Sequence, residues 1–159
     1  MDTPLYTILI ADRNPNIRSF LKRELASTDW HIHLAGTGND LVQTIYGPIQ
    51  VDLIIMDPDF SDIPIRTLIK KIQGRVPFLP VIVHSLNMDM LSALMEQWAP
   101  SLVEKNGSSV EILKTLIPNF LTPYLPLKRD PPKTEASHEN PTDQKSEHPK
   151  SMPLDTLDP

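Results

Sequence analysis

The sequence predicts a doubly wound α/β domain with a five-stranded parallel sheet, followed by a disordered C-terminal tail. Short apolar runs alternate with amphipathic stretches five times along the chain. Two of the runs, residues 53–56 and 81–83, are apolar without interruption. Such runs are typical of central strands in a parallel sheet that helices cover on both faces. Repeated strand–helix units joined by right-handed crossovers give a doubly wound sheet.

The predicted strands and helices alternate in a regular order. We expect strands at residues 6–11, 30–35, 51–56, 79–83 and 101–103. Apolar residues spaced three and four apart predict helices around residues 17–25, 41–45, 65–72, 91–98 and 110–117. Asn14 before Pro15 predicts an N-cap, and Ser108 with Glu111 predicts a capping box for the last helix. Pro118 is expected to end or kink that helix.

Composition divides the chain after residue 121. The last 38 residues hold 8 of the 17 prolines, and only 7 of those 38 residues are hydrophobic. A segment so poor in apolar side chains buries too little surface to offset the entropy lost on ordering. We therefore expect one domain over residues 1–121 and a disordered, proline-rich tail over residues 122–159. Residues 152–157 are the only candidate linear motif in that tail.

Composition also excludes several classes of protein. The absence of cysteine excludes disulfide scaffolds, thiolate zinc sites and cysteine nucleophiles. No apolar run reaches the roughly 18 residues that span a bilayer, and residues 1–11 do not resemble a signal peptide. We therefore expect a cytoplasmic protein that does not insert into membranes. The net charge of -5 leaves no broad basic face, so we expect no direct binding of nucleic acid.

Four of the predicted strands end in residues that can carry chemistry. Asp12 follows the first strand, Asp57 the third, Ser85 the fourth and Lys105 the fifth. Because the carboxyl ends of parallel strands meet at one edge of a sheet, we expect these side chains to share a pocket. A lone aspartate after a strand is more often a helix cap. Four such residues at the same edge are difficult to attribute to capping.

In order and spacing, these strand ends resemble the receiver domain of two-component response regulators, which has a flavodoxin-like fold. The resemblance implies that Asp57 accepts a phosphoryl group, while Ser85 and Lys105 contact that group. It also implies a Mg²⁺ site formed by Asp12, Asp57 and the backbone carbonyl of Asp59. A carboxylate that attacks a phosphoryl group brings two anions together, and the cation and the ammonium offset that repulsion.

The resemblance further implies the partners of this chain. The phosphoryl donor would be a histidine kinase or a phosphotransfer protein. No output domain is predicted after the receiver-like domain, so we expect a single-domain response regulator that signals by protein–protein contact. The unknown output partner would bind the face formed by the fourth helix, the fifth strand and the fifth helix. The chain would not be an enzyme, beyond phosphorylation and dephosphorylation of Asp57 itself.

Arg13 is the departure from the receiver pattern that matters most. The family usually has two adjacent acidic residues after the first strand, and here the second is an arginine. Losing a carboxylate should weaken Mg²⁺ binding, because the charge of the ligands draws the ion in. Three interpretations follow: Arg13 points to solvent beside a weakened metal site, it takes the place of the cation and contacts the phosphoryl group, or the domain is not phosphorylated.

Other departures lie on the fifth strand and in the loop after Asp57. The position of the family's aromatic switch is Leu102, and the family's Lys-Pro is here Lys105 followed by Asn106. Asp59 and Asp62 make the loop acidic, which would either compensate for the lost carboxylate or repel phosphate. These departures favour an alternative function, a pseudo-receiver that acts as an adaptor without phosphorylation.

Two further features have competing interpretations. The run Asp57-Pro58-Asp59-Phe60-Ser61 is similar to the nucleophile motif of haloacid-dehalogenase-like phosphatases, but it follows the third strand rather than the first. That phosphatase function is the minor alternative. His31 and His33 share one face of the second strand, where partial exposure near a sheet edge is a better explanation than metal binding.

Overall fold

The computed structural model describes residues 4–89, 91, 98 and 100–122. Five parallel strands form one sheet: β1 (Tyr6–Ala11), β2 (Trp30–Ala35), β3 (Leu53–Met56), β4 (Val81–Ser85) and β5 (Ser101–Glu104). Their order in the sheet is β2-β1-β3-β4-β5, so the winding reverses direction between β1 and β3. The predicted five-stranded, doubly wound parallel sheet is therefore confirmed.

The described helices are α1 (Pro15–Glu24), α2 (Gly38–Tyr46), α3 (Ile65–Gln73) and a last helix, Ser109–Leu121. The helix predicted at residues 91–98 lies outside the described residues, except that Leu91 is buried and Trp98 packs half-buried against the core. The tail predicted at residues 122–159 also lies outside them, apart from Thr122. None of the helices in the described part of the chain is long and apolar enough to cross a membrane.

β3 is the clearest case of a strand covered on both faces. Leu53 and Ile55 pack in an apolar cluster with α1 and the last helix, whereas Ile54 and Met56 pack in a second cluster with α2 and α3. All four side chains are fully buried. Burial of an aliphatic side chain contributes about 1.5–3 kcal/mol to stability. These four residues therefore hold β3 firmly in the sheet, and Asp57 follows directly at the carboxyl end of this strand.

The caps of the first and last helices differ in how well the sequence predicted them. The Asn14 side chain accepts a hydrogen bond from the backbone N–H of Asn16 at 3.0 Å, which confirms the predicted N-cap of α1. The capping box predicted at Ser108 is wrong. The Ser108 hydroxyl donates to the Asn106 side chain at 2.9 Å and makes no cap hydrogen bond, because the asparagine two residues earlier competes for it.

Pro118 does not end the last helix, which was one of the two outcomes predicted for it. The helix runs through it to Leu121, and the backbone N–H and the hydroxyl of Thr122 both donate to the Pro118 carbonyl. Ile117 and Leu121 on either side of the proline are buried against the sheet. Tertiary packing therefore offsets the hydrogen bond that proline cannot donate.

Candidate functional site

The strand ends that the sequence singled out meet at one edge of the sheet. The backbone N–H of Asp57 donates to the Ala11 carbonyl at 3.0 Å, which places the residue after β3 beside the end of β1. The backbone N–H of Lys105 donates to the Ser85 carbonyl at 2.9 Å, which does the same for β5 and β4. Parallel pairing thus brings Asp12, Asp57, Ser85 and Lys105 to a common edge.

The Lys105 ammonium lies between the two aspartates. Its Nζ is 2.7 Å from Oδ2 of Asp12 and 2.5 Å from Oδ2 of Asp57. The three side chains are 12%, 4% and 14% exposed respectively, so water screens these charges weakly. One ammonium against two carboxylates leaves a net negative charge at the centre of the site, which can accept a further cation.

The aspartates keep Lys105 protonated. Burial alone would lower the pKa of Lys105, but the hydrogen bonds and charges of Asp12 and Asp57 outweigh it and raise that pKa above its usual value. The ammonium is therefore a permanent positive charge at neutral pH. It offers its hydrogen bonds to any oxyanion that displaces a carboxylate oxygen.

Asp57 Oδ1 is the oxygen that Lys105 does not contact. It accepts hydrogen bonds from two neutral groups. The Ser85 hydroxyl donates to it at 3.2 Å, and the backbone N–H of Asp59 donates to it at 3.2 Å. Ser85 in turn accepts from the backbone N–H of Asn87 at 3.3 Å. The serine hydroxyl is thus oriented toward the carboxylate by the loop that follows β4.

Arg13 lies at the rim of the site. Its Nη2 is 3.0 Å from Oδ2 of Asp59, and the two side chains are 65% and 67% exposed. An ion pair this exposed contributes at most about 1 kcal/mol and is screened by salt. In this state the guanidinium neutralises Asp59 at the surface, while Lys105 occupies the position between the buried carboxylates.

Asp62 has a different role from those considered for it in the sequence. Its carboxylate accepts from the backbone N–H groups of Gly38 at 3.0 Å and Asn39 at 2.8 Å, which caps the N-terminus of α2. The hydrogen bond from Asn39 is the largest cause that holds the pKa of Asp62 below its usual value. Asp62 is therefore engaged in fixing the neighbouring loop, and Asp59 alone of the two lies beside Asp57.

The oxygen donors of the site fit a magnesium ion with a reduced ligand set. Mg²⁺ is bound in proteins through one or two carboxylates and keeps several waters. Asp12 and Asp57 supply two carboxylates that already share one cation, Lys105. Nowhere in the described residues do three or more His, Cys, Asp or Glu side chains cluster as a metal site, so the missing second acid has no substitute among them.

The carboxylates of Asp12 and Asp57 line a cleft of about 590 Å³. Its lining also includes the polar side chains of Asn14 and Asn87. The apolar residues that line it are Ile17, Pro58, Phe60, Ile63, Pro64, Ile65, Leu86 and Leu91. A cleft of this size admits a phosphoryl group together with part of the molecule that donates it.

His84 is buried next to this site but faces away from it. Successive side chains on a strand alternate, so His84 lies on the face opposite Ser85. Burial, followed by the charge of Lys105, lowers the pKa of His84 to about 4. Within the described ranges its Nε2 atom is buried without a hydrogen-bond partner, which favours a neutral ring.

Stability is expected to fall between about pH 6.5 and pH 4 because of His84. The unfolded chain binds a proton at this histidine below about pH 6.5 and the folded chain only near pH 4, so protons favour unfolding in that window. Urea denaturation measures the free energy of unfolding at each pH. Between pH 7 and pH 5 this free energy should fall by about 2 kcal/mol less in His84→Leu than in the unsubstituted protein.

His33→Leu is the control for this measurement, because His33 lies half-exposed on the edge strand β2. We expect it to leave the pH dependence unchanged. Equal pH dependence in the His84→Leu variant and the unsubstituted protein would contradict the assignment of this window to His84.

Arg18 contacts the site and was not singled out in the sequence. Its Nη1 donates to the backbone carbonyl of Asp12 at 2.6 Å. Arg18 lies on the second turn of α1, six residues after Asp12, where a long side chain can reach back to the strand end. No sequence pattern pointed to this contact, because the charged positions of α1 resemble a solvated helix face.

No protein-family model and no curated protein sequence matches this chain. Solved structures match it well. The response regulator protein TrrA from Thermotoga maritima, solved with Mg²⁺ and beryllium fluoride, aligns at 25% identity and a TM-score of 0.64 over 73% of this chain and 99% of TrrA.

Two other solved structures are similar to the same extent. The signal receiver domain of a putative LuxO repressor protein from Vibrio parahaemolyticus aligns at 20% identity and a TM-score of 0.65, covering 77% of this chain and 94% of that one. The beryllium-fluoride-activated DrrB receiver domain aligns at 23% identity and a TM-score of 0.62, covering 74% and 97%.

Proposed function

We propose that this chain, whose fold is that of a response-regulator receiver domain, accepts a phosphoryl group on Asp57 and signals by protein–protein contact. The observation that carries the proposal is the Lys105 ammonium held between Asp12 and Asp57, with the Ser85 hydroxyl on the same Asp57 carboxylate. The receiver fold is typically a non-enzymatic signalling domain. The chain would therefore be the acceptor in a reaction that a partner supplies.

The chemistry of the transfer explains these residue types. One carboxylate oxygen of Asp57 forms a bond to phosphorus, while the bond from phosphorus to an imidazole nitrogen of the donor breaks. The electron pair of that bond leaves with the imidazole. The repulsion between carboxylate and phosphoryl oxygens is offset by Lys105, and Ser85 can turn its hydroxyl from Asp57 to a phosphoryl oxygen.

Mg²⁺ fits this proposal as a weakly bound ion. Asp12 and Asp57 would hold it together with the backbone carbonyl of Asp59. When bound, the ion would supply positive charge where the phosphoryl group and the carboxylate meet. The metal ligand set remains smaller than in a receiver with two adjacent acids, because Arg13 stands in the second position.

The receiver fold implies the class of partner that this chain would have. A histidine kinase or a phosphotransfer protein would donate the phosphoryl group in the cytoplasm. The output partner would bind the face that includes β5 and the last helix. Two side chains on this face support a contact surface: Leu102 is 38% exposed and Ile112 is 43% exposed.

A second candidate function is an adaptor that works without phosphorylation. The ion pair between Arg13 and Asp59 favours it, because that pair replaces a free carboxylate at the rim with a neutral contact. Lys105 already satisfies both buried aspartates in the same state. In this case the domain would act only by binding partners at its surface.

Intact-mass measurement after incubation with acetyl phosphate and Mg²⁺ tests the two proposals. We expect a species heavier by about 80 Da, the mass of one phosphoryl group, which disappears completely in Asp57→Asn. Asp40→Asn is the matched control, since Asp40 is exposed on α2 and away from the cleft, and it should keep the adduct.

Absence of an adduct at every Mg²⁺ concentration would contradict the acceptor function and favour the adaptor. Steady release of inorganic phosphate from a generic phosphate ester would instead indicate the phosphatase alternative. An adduct that persists in Asp57→Asn would mean that another residue is the acceptor.

A further inference from the structure

Arg18 reaches from α1 back to the strand ends where the site lies. It is half-buried, and its Nη1 donates to the backbone carbonyl of Asp12 at 2.6 Å. That carbonyl lies one residue beyond the end of β1, outside the paired residues of the sheet. Hydrogen bonds from a charged donor are about twice as strong as those between neutral groups.

The space that Arg18 occupies depends on Gly36. A Cβ atom added at Gly36 would lie 3.2 Å from Nη1 and 3.3 Å from both Cζ and Nη2 of Arg18. Because three guanidinium atoms are almost equally distant from that Cβ position, the group turns its flat face toward Gly36. Arg18 is thereby fixed between the loop after β1 and the loop after β2.

The contacts of Asp12 explain why this matters for the site. Its backbone N–H donates to Ala35 at 3.2 Å, and its Oδ1 accepts from the backbone N–H of Asn14 at 2.8 Å. Its other oxygen contacts Lys105. The direction of the carboxylate depends on the orientation of the peptide that carries it, and Arg18 holds the carbonyl end of that residue.

We infer that Arg18 is a positioning residue: it fixes the backbone of Asp12, through the space that Gly36 leaves open, so that the Asp12 carboxylate faces Lys105. This inference deepens the proposed function and rests on it for the consequence in phosphoryl transfer. The geometric part, the orientation of Asp12 toward Lys105, is measurable without a phosphoryl group or a metal.

The test compares four variants of the full chain. Arg18→Ala removes the contact, and Arg18→Lys keeps the charge and one donor. Gly36→Ala keeps Arg18 but places a methyl group 3.2–3.3 Å from its guanidinium, so that group must shift by a few tenths of an ångström. Arg23→Ala is the matched control, because Arg23 is exposed on the same helix and, among the described residues, its side chain pairs with its neighbour Glu24 at 2.9 Å and with the ring of Phe20.

The first readout is the side-chain ammonium signal of Lys105 in nitrogen-15 NMR. We expect its protons to exchange with water about fivefold faster in Arg18→Ala, and by smaller factors in Gly36→Ala and in Arg18→Lys, which keep a cationic side chain at position 18. Arg23→Ala should leave the exchange unchanged. Equal exchange in Arg18→Ala and Arg23→Ala would overturn the inference, whatever their stabilities.

The second readout is the initial rate of the acetyl phosphate adduct on Asp57, which should fall about fivefold in Arg18→Ala and not in Arg23→Ala. If the unsubstituted protein forms no adduct while the Lys105 signal still responds to Arg18→Ala, the proposed function fails and the positioning role stands. If the adduct forms at the same rate in all four variants, the positioning role fails and the proposed function stands.

Discussion

Replacement of Lys105 by methionine is expected to lower the free energy of unfolding by about 3 kcal/mol at neutral pH. The lysine ammonium contacts Asp12 at 2.7 Å and Asp57 at 2.5 Å, and all three side chains are largely buried. Methionine has a similar length and no charge, so two buried carboxylates would face each other without a cation. Leaving buried charge uncompensated costs far more than losing an exposed ion pair.

Urea denaturation measures this loss, and Lys114→Met is the matched control. Lys114 is exposed and pairs with Glu111 at 3.2 Å, so its replacement should change stability by less than about 0.5 kcal/mol. Equal stabilities of the Lys105→Met variant and the unsubstituted protein would mean that the ammonium does not compensate the two aspartates.

Acid and Mg²⁺ should each narrow the difference in stability between Lys105→Met and the unsubstituted protein. At lower pH one of the two facing carboxyls takes up a proton, which removes their repulsion. The proposed Mg²⁺ site exists only in the folded state, so Mg²⁺ should stabilise this variant more than the unsubstituted protein, because no ammonium competes for the carboxylate oxygens. The same urea experiments, repeated near pH 5 and with excess Mg²⁺, measure both effects.

The fold could be predicted from the sequence because its strongest signal is local. The apolar run of β3 places alternate side chains on opposite faces of the sheet, and both faces need helices. Leu53 and Ile54 lie in the two different clusters, as that argument requires. The end of the last helix was predicted less well, since propensity at Pro118 yields to the burial of Ile117 and Leu121.

The composition of the site was also predictable in part, for a topological reason. Residues that follow parallel strands meet at one edge whatever the sequence between them, so Asp12, Asp57 and Lys105 converge. The roles of Asp62 and Arg18 depend on how loops and helix ends pack together. Asp62 caps a helix that begins 24 residues earlier, and no pattern in the sequence records that contact.

The remaining question about the site is the arginine in the second acidic position. Replacement of Arg13 by aspartate is expected to raise the affinity for Mg²⁺ by about tenfold or more. The substitution removes the guanidinium that pairs with Asp59 and adds a carboxylate at the rim of a site that already has two. Both changes make the site more negative, and the charge of the ligands largely sets how strongly a hard divalent cation binds.

Titration calorimetry with Mg²⁺ at constant ionic strength measures this change, and two further variants separate its causes. Arg13→Gln removes the positive charge without adding a ligand, so it should increase the affinity by a smaller factor, about threefold, because Arg13 is exposed and its charge is screened. Arg23→Asp alters the net charge by the same amount as Arg13→Asp but lies far along α1, so the affinity should hardly change. If Arg13→Asp binds Mg²⁺ no more tightly than Arg23→Asp does, the arginine is not what weakens the metal site. Weak Mg²⁺ binding would then be explained by Asp12 and Asp57, whose carboxylates are oriented toward Lys105.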